Sequence, residues 1–368
     1  MQKFDRIKFR SNMSSAARQI SVSLMAVVVA LIISMLVIAA MGVDPMKAMS
    51  KMLSGALGSK NAIAETLVKM TPLLFTGMSY ALANRCGLTN IGMEGQLYVG
   101  ALTATIAGVY IPGLPMIVHL PLTMLAGFLG GAIWGGIVGV LKVRFGANEI
   151  ITTVMLNTVA TNLVQYMVNG PITEPPGDDA QSSPLLDSAS LPIILKGTRA
   201  HLGILIALLF VVLFYLFLWK SKKGYEIRVS GQNPNAAIYS GINTGRNIIL
   251  VMLIAGGLSG LAGATEVMGV QGRLFPSVSP GYGFDGIAVS LIGANTAPGI
   301  VAGAFLFGIL RAGGNSMQRA TGVPVAIISV IQAVVILMVV ATGFLREGGF
   351  KRKKAAKRQN VQEGGVSQ

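Results

Sequence analysis

Five polar residues stand out in this 368-residue chain because they lie inside, or at the edges of, long apolar segments. They are Asn90, Glu94, Gln96, Asn157 and Asp285. Polar groups are costly within a bilayer and usually mark a functional position. One interpretation is that they line a polar path for an uncharged polyhydroxy solute. The other is structural: Glu94 satisfies backbone donors at a helix break, and Asp285 caps a helix N-terminus, where a carboxylate is favoured.

A second group of residues lies in the basic stretch 220–246. Here the sequence predicts a helix of about two turns, with Asn233 as the N-cap, Pro234 at the first helical position and Gly241 as the stop. So short a helix is not stable alone in water. We therefore expect it to dock into a cytoplasmic protein, and a position on lipid headgroups is the alternative.

Residue patterns for catalysis are missing. The chain has no GxxxxGKS/T phosphate loop, no HExxH and no GxSxG motif. Its single cysteine, Cys86, cannot form an internal disulfide, and its only histidines are His119 and His201. We therefore expect neither enzymatic activity nor a cofactor or metal site on this chain, so any ATPase that drives it must be another chain.

The elements that must position these residues are apolar helices. Hydrophobic residues make up 52% of the chain and charged residues 12%, whereas soluble proteins carry about 25% charged residues. Charge-free intervals reach or exceed the ~20 residues that cross a bilayer. They cover residues 19–43, 95–141, 150–173, 200–219, 286–310 and 320–345. The net charge of +15 is distributed between these intervals, which disfavours a nucleic-acid-binding surface.

Basic clusters determine the predicted orientation, because short cytoplasmic loops collect Lys and Arg. The N-terminus, the loop 220–246 and the tail 346–358 are basic and are placed inside, whereas the acidic loop 171–200 is placed outside. This predicts an all-α polytopic membrane protein with about ten transmembrane helices and cytoplasmic termini. Its parts are a cytoplasmic N-terminus at 1–20, a transmembrane domain at 21–345 and a basic tail at 346–368.

The interval 286–310 decides whether the chain crosses the membrane an odd or an even number of times. A single helix here would place the basic tail outside, so we expect two short or half-spanning helices, broken where glycine, asparagine and proline cluster. The residues of the break are Gly293, Asn295, Pro298 and Gly299. The predicted spans cover about 20–42, 67–84, 88–110, 120–141, 149–169, 201–219, 247–268, the two halves of 286–310, and 323–344. The second to fifth and seventh to tenth spans could form two inverted four-helix repeats.

Glycines recur every fourth residue on three predicted helices. They are Gly127, Gly131, Gly135 and Gly139, then Gly256 and Gly260, then Gly299 and Gly303. Small residues at this spacing let helix backbones approach closely. The pattern predicts tight helix packing, either within the chain or at a subunit interface.

Several motifs resemble those of a known family. They are Leu88–Gln96 (LTNIGMEGQ), Asn148–Asn157 (NEIITTVMLN), Gly283–Val289 (GFDGIAV) and the loop pattern Arg228, Gly231, Asn233, Ala236, Ala237, Gly241 and Ile242. Together they make the chain similar to the membrane permeases of ABC importers in the ribose and branched-chain amino acid superfamily, most closely to the nucleoside and simple-sugar branch. The resemblance extends over about 67–345.

The resemblance implies a multi-pass protein of the bacterial cell membrane and a set of partners. These are a second permease, identical or related, cytoplasmic ATP-binding subunits that carry ATP and magnesium, and an extracytoplasmic solute-binding lipoprotein. It makes the short helix at 233–240 the coupling helix on the ATPase. The residues implied for coupling are Arg228, Gly231, Asn233, Pro234, Ala236, Ala237 and Gly241. The candidate docking residues for the lipoprotein are Glu174, Asp178, Asp179 and Arg273.

The implied activity is passage of nucleosides, or of a simple sugar, driven by ATP hydrolysis on the partner. The alternative is an ion-coupled secondary transporter of a small polar solute, with Glu94 or Asp285 as a proton site. Such a transporter has no need for a capped docking helix. A proton site also requires an acid deep in a span, where burial disfavours its charged form, whereas Asp285 lies near a predicted helix start.

Overall fold

The computed structural model describes residues 28–338, apart from 30, 178, 325, 328, 335 and 336. Residues 50–320 form one compact unit, and the described residues on either side belong to a second. The predicted cytoplasmic N-terminus and basic tail lie outside the described residues, as does most of the first predicted span. The last predicted span is described only in part.

The described residues are almost entirely helical. The helices are α1 (Leu31–Ala40), α2 (Pro45–Leu57), α3 (Lys60–Arg85), α4 (Met93–Tyr110), α5 (Met116–Phe145), α6 (Glu149–Val168), α7 (Gly203–Lys220), α8 (Lys222–Gln232), α9 (Pro234–Tyr239), α10 (Thr244–Glu266), α11 (Tyr282–Ile292) and α12 (Ala297–Thr321). A π-helical segment, Val267–Gln271, continues α10, and a short 3₁₀ helix covers Asp187–Ala189. Extended pairing in this part of the chain is limited to two isolated antiparallel bridges.

Four helices are long and apolar enough to cross a membrane: α5, α7, α12, and α10 with its π-helical extension. Helices α3, α4 and α6 cover three further predicted spans but start or end at different residues. The fold is therefore all-helical and consistent with a polytopic membrane protein. The total of about ten spans and the cytoplasmic termini stay predictions.

The predicted break in 286–310 is confirmed between α11 and α12. The prediction of two short helices is wrong for the second, since α12 has 25 residues. Pro298 and Gly299 lie in the first turn of α12, where proline is well tolerated because its missing N–H has no helical partner. The chain turns instead at Ala294 and Asn295, which adopt φ angles of 51° and 52°.

The glycine-rich faces pack within this chain. Gly131 of α5 lies so close to Gly256 of α10 that a Cβ atom on either residue would overlap the other's carbonyl oxygen. A Cβ atom at Gly100 of α4 would likewise overlap the backbone of Gly260 of α10. The prediction of close helix packing is confirmed, and α10 lies at the centre of the unit because it contacts α3, α4 and α5.

The connection between α6 and α7 folds back over one end of this bundle. The Leu191 backbone N–H donates to the carbonyl of Met268, in the π-helical extension of α10. The Ser182 backbone N–H donates to the carbonyl of Leu274, just beyond that extension. Buried His119 of α5 joins the same region, since its imidazole contacts the Ser188 hydroxyl at 2.8 Å. This end corresponds to the side that the charge distribution places outside the cell.

Candidate functional site

Helices α4 and α11 begin inside the bundle and meet N-terminus to N-terminus. We call this contact the central junction. Helix α4 starts at Met93, and the Glu94 side chain in its first turn accepts a hydrogen bond from the backbone N–H of Gly283, in the first turn of α11, at 2.7 Å. A Cβ atom at Gly283 would overlap the backbone of Glu94, so only glycine permits this approach. Residues 88–92, predicted as part of a span, are a non-helical lead into α4.

Three predicted amide side chains hold the start of α4. The Asn157 carbonyl accepts from the Gly95 N–H at 2.8 Å, and its amide nitrogen donates to the Ile91 carbonyl at 3.0 Å. Asn90 and Gln96 bond each other through their amide groups, at 3.1 and 3.3 Å. Since all three side chains are buried, four of the five predicted site residues, with Glu94, lie in one network around this helix start.

The fifth residue, Asp285, lies in the first turn of α11 but is not its N-cap, which is Gly281. Its carboxylate forms an ion pair with Arg311 of α12, 2.6 Å between Oδ2 and Nε. Arg311 also donates to the Pro280 carbonyl at 3.0 Å and stacks over the Tyr282 ring at 5.0 Å. Asp285 is therefore not the N-cap of α11, although its carboxylate lies in the first turn, where the helix dipole favours it.

Arg311 is a site residue that the sequence analysis did not single out. It directly follows the charge-free interval 286–310 and lies inside an apolar helix. An isolated cation at such a position needs an anionic partner within the bundle. That requirement is the signal that could have paired it with Asp285.

Two further polar groups lie near this junction and have no hydrogen-bond partner among the described residues. They are the Oε2 atom of Glu266, at the end of α10, and the hydroxyl of Tyr282, the first residue of α11, and both are buried. The two groups interact electrostatically with each other. Buried polar groups without hydrogen-bond partners are costly and rare in native proteins.

A polar recess of about 620 Å³ lies at the same end of the unit as the α6–α7 connection. Its wall includes Lys51, Arg319 and an ion pair between Glu65 and Arg199, which are 3.7 Å apart. Glu65 and Arg199 also interact electrostatically with Glu266, at the end of α10. Among the described residues, no group of three His, Cys, Asp or Glu side chains could hold a metal ion.

The predicted short helix in the basic loop is confirmed as α9. The Asn233 side chain accepts from the Ala236 N–H at 3.1 Å, Pro234 is the first helical residue, and Gly241 turns the chain away with a φ angle of 76°. Ile238 and Tyr239 project from it with 59% and 93% of their surface exposed. This helix therefore presents an apolar and aromatic surface that no described residue covers.

The residues implied for coupling fall into two groups. Asn233, Pro234 and Ala236 are exposed along with Gly241. The others pack inward, since Ala237 is fully buried, the Arg228 guanidinium stacks over the Trp219 ring at 4.3 Å, and Gly231 lies against the backbone at the end of α3.

The candidate docking residues also divide. Glu174 and Arg273 form an ion pair at 2.7 Å that joins the α6–α7 connection to the segment after α10. Asp179 is exposed, and Asp178 lies outside the described residues. Asp179 is thus the described candidate whose charge is most accessible.

A protein-family model described as "Branched-chain amino acid transport system / permease component" matches residues 62–340. The chain belongs to this family and is a transport subunit rather than an enzyme.

Individual relatives agree with that assignment. The chain is 37% identical over 339 residues to a guanosine ABC transporter permease of Bacillus subtilis, which covers 91% of this chain and 97% of the relative. It is 32% identical over 354 residues to a nucleoside ABC transporter permease of Lactococcus lactis, covering 94% and 97%. It is also 36% identical over 330 residues to a glucose ABC transporter permease of Haloferax volcanii, covering 87% of each. No solved structure gives a significant match.

Proposed function

We propose that this chain is the permease subunit of an ABC importer for nucleosides. The observation that carries the proposal is the likeness to guanosine and nucleoside permeases of two bacteria along nearly the whole chain. A simple sugar is the second candidate substrate, because a glucose permease is about as similar. The family assignment favours an ABC importer over an ion-coupled secondary transporter.

The central junction is the proposed substrate path. Transporters often place the solute where interrupted helices expose their N-termini, because backbone N–H groups and the helix dipole are available there. Here the N-termini of α4 and α11 are joined by the bond between Glu94 and Gly283. When the two helices separate, this bond would be replaced by bonds to solute hydroxyl and amide groups. Asn90, Gln96 and Asn157 would position the start of α4 during that exchange.

Asp285 is proposed to act through Arg311. The ion pair neutralises both charges within the bundle, so the path presents hydrogen-bonding groups with little net charge. Such an environment suits an uncharged, hydroxylated solute better than an ion. It also gives Asp285 a fixed partner, which disfavours a proton-carrying role.

The energy for transport is proposed to come from cytoplasmic ATP-binding subunits with bound ATP and magnesium. The exposed surface of α9, with Ile238 and Tyr239, is suited to a groove on that partner. A second permease, identical or related, and an extracytoplasmic lipoprotein would complete the assembly in the bacterial cell membrane. The lipoprotein would dock near Asp179 and the paired Glu174 and Arg273.

Reconstitution tests the proposed function. The permease is purified with its proposed partners, which are the ATP-binding subunits, the second permease and the lipoprotein. The complex is inserted into liposomes and supplied with radiolabelled guanosine or glucose. We expect uptake of guanosine that requires ATP and is blocked by unlabelled nucleosides but not by glucose. Guanosine uptake without ATP, or ATP-driven uptake of glucose alone, would contradict the proposal.

A further inference from the structure

Arg85, the last residue of α3, links two distant segments of the unit. On one side its guanidinium donates to the carbonyl of Asn295, at 3.0 Å from Nη2 and 3.3 Å from Nε, and to that of Ala294 at 3.3 Å. These carbonyls form the turn between α11 and α12. The Arg85 side chain, at the end of α3, therefore bonds the turn that connects the two helices.

That turn is held in an unusual backbone conformation. Ala294 and Asn295 are consecutive non-glycine residues with left-handed φ angles, a conformation that costs free energy and persists only when the surroundings enforce it. The Asn295 side chain donates to Asn84 at 2.8 Å and accepts from the Ser290 hydroxyl at 2.7 Å. Asn84, Arg85 and Ser290 together supply that enforcement, so loss of one contact can release the turn.

On its other side the Arg85 guanidinium faces Trp219 near the end of α7, and Arg228 of α8, the helix before α9, contacts the same ring. The Arg85 guanidinium lies 5.4 Å from the centre of the Trp219 ring, and the Arg228 guanidinium lies 4.3 Å from it. Neither arginine forms an ion pair with a described carboxylate, so the indole is their shared favourable partner. The backbone of α8 also touches the end of α3, since a Cβ atom at Gly231 would overlap the Arg85 carbonyl oxygen.

We propose that Arg85 is a positioning residue that transmits movement of the α8–α9 segment to α11. This inference rests on the proposed function, in which α9 docks on the ATP-binding subunit. A displacement of α8 would move Arg228 and Trp219, shift Arg85, and alter its bonds to the Ala294–Asn295 turn. The turn directly follows the C-terminal end of α11. The N-terminal end of this helix, where Gly283 meets Glu94, is about 16 Å away for 11 helical residues.

The geometry requires arginine at this position. A planar guanidinium can donate in its plane to two carbonyls while its face lies on an aromatic ring, whereas the compact ammonium of lysine cannot do both. Arg85→Lys therefore keeps the positive charge but removes the link between Trp219 and the turn. Arg144, at the end of α5, is exposed at the same predicted side of the membrane, so Arg144→Lys is the matched control.

The test measures ATP hydrolysis and guanosine uptake on the same proteoliposomes of the complete transporter. For Arg85→Lys we expect uptake to fall about tenfold, a typical size of coupling between sites, while ATP hydrolysis stays within about twofold. The amount of ATP used per guanosine should rise accordingly. Arg144→Lys should change neither rate.

Two results would overturn the role of Arg85. One is a proportional loss of uptake and hydrolysis, which indicates a purely structural residue. The other is no change in either rate. If Arg85→Lys does not assemble, Trp219→Leu and Trp219→Phe replace it, and the proposal requires that only the phenylalanine variant retain most of the coupling, because it keeps an aromatic face.

The same experiment separates this inference from the proposed function. Wild-type guanosine uptake without ATP, or no wild-type uptake of guanosine, contradicts the proposed function itself. ATP-driven wild-type uptake with a normal ratio in Arg85→Lys contradicts only the role of Arg85.

Discussion

The central junction and the α8–α9 segment differ in which groups they bury: the junction encloses polar side chains, whereas the α8–α9 segment exposes apolar ones. At the junction, the side chains of Asn90, Gln96 and Asn157 are buried and bonded to the backbone or to each other. On α9, Ile238 and Tyr239 are apolar or aromatic and largely exposed. A closed polar centre must open to act, whereas an open apolar surface must be covered. In the proposed mechanism the junction would therefore exchange bonds that are already present, whereas α9 would acquire a partner.

The largest expected effect comes from breaking the largely buried ion pair of Asp285 and Arg311, whose side chains are 11% and 17% exposed. Arg311→Ala removes the cation facing Asp285, and loss of one partner of a buried pair costs about 3–5 kcal/mol. We expect a strong drop in the thermal unfolding temperature in detergent, and little folded protein.

Its control is an ion pair of similar length at the surface. Lys223 lies 2.8 Å from Glu226, but its side chain is 57% exposed. Lys223→Ala should cost less than about 1 kcal/mol. Equal losses of unfolding free energy in the two variants would contradict the distinction between the closed centre and the open surface.

The next effect concerns the α9 surface. Ala236→Glu places a carboxylate on the exposed side of α9, where docking would bury it without a partner. We expect ATP-driven uptake to fall more than about tenfold with normal folding, because the isolated permease already exposes this position. Ala180→Glu, in the exposed α6–α7 connection, serves as the control. Normal uptake in Ala236→Glu would show that α9 is not the coupling helix.

A smaller effect is expected for Glu94→Gln. Glutamine keeps the shape and can still accept from the Gly283 N–H, but a bond to a charged acceptor is about twice as strong as a neutral one. We expect the fold to persist and uptake to fall about fivefold, as for loss of ~1 kcal/mol. Unchanged uptake would exclude an essential charge at Glu94, and a proton-coupling role with it.

The smallest effect is expected at the cap of α9. Asn233→Ala removes the side chain that accepts from the Ala236 N–H, which costs a helix about 1 kcal/mol. Docking on the partner should compensate, so uptake should fall only about twofold. Asn233→Ser, which retains a capping oxygen, should behave as wild type, and a large loss in that variant would show that Asn233 contacts the partner directly.

Local features of the fold were predictable from the sequence. The cap, first proline and terminal glycine of α9 lie within nine residues of one another, so their pattern is readable without the rest of the chain. The break between α11 and α12 followed from charge balance and a cluster of glycine and asparagine. The glycine spacing on α5 and α10 likewise predicted close packing, although not which helices would meet.

Pairings between distant segments were not predictable in this way. Glu94 and Gly283 are 189 residues apart, and apolar segments carry no register that identifies their partners. Asp285 and Arg311 are only 26 residues apart, and the isolated cation inside an apolar helix was the available signal for their pairing. Residue type thus identified candidate positions, whereas the helix packing determined which atoms each candidate bonds.

The most direct test of the central claim is whether a nucleoside occupies the α4–α11 junction. Asn157→Cys places a thiol beside the start of α4, and Val159→Cys places one on the exposed side of the same helix. The complete transporter is treated with a small polar thiol reagent during ATP turnover, with and without guanosine, and labelling at each position is measured by mass spectrometry. The account predicts that guanosine slows labelling at position 157 and leaves position 159 unchanged. Equal labelling of position 157 with and without guanosine would contradict it.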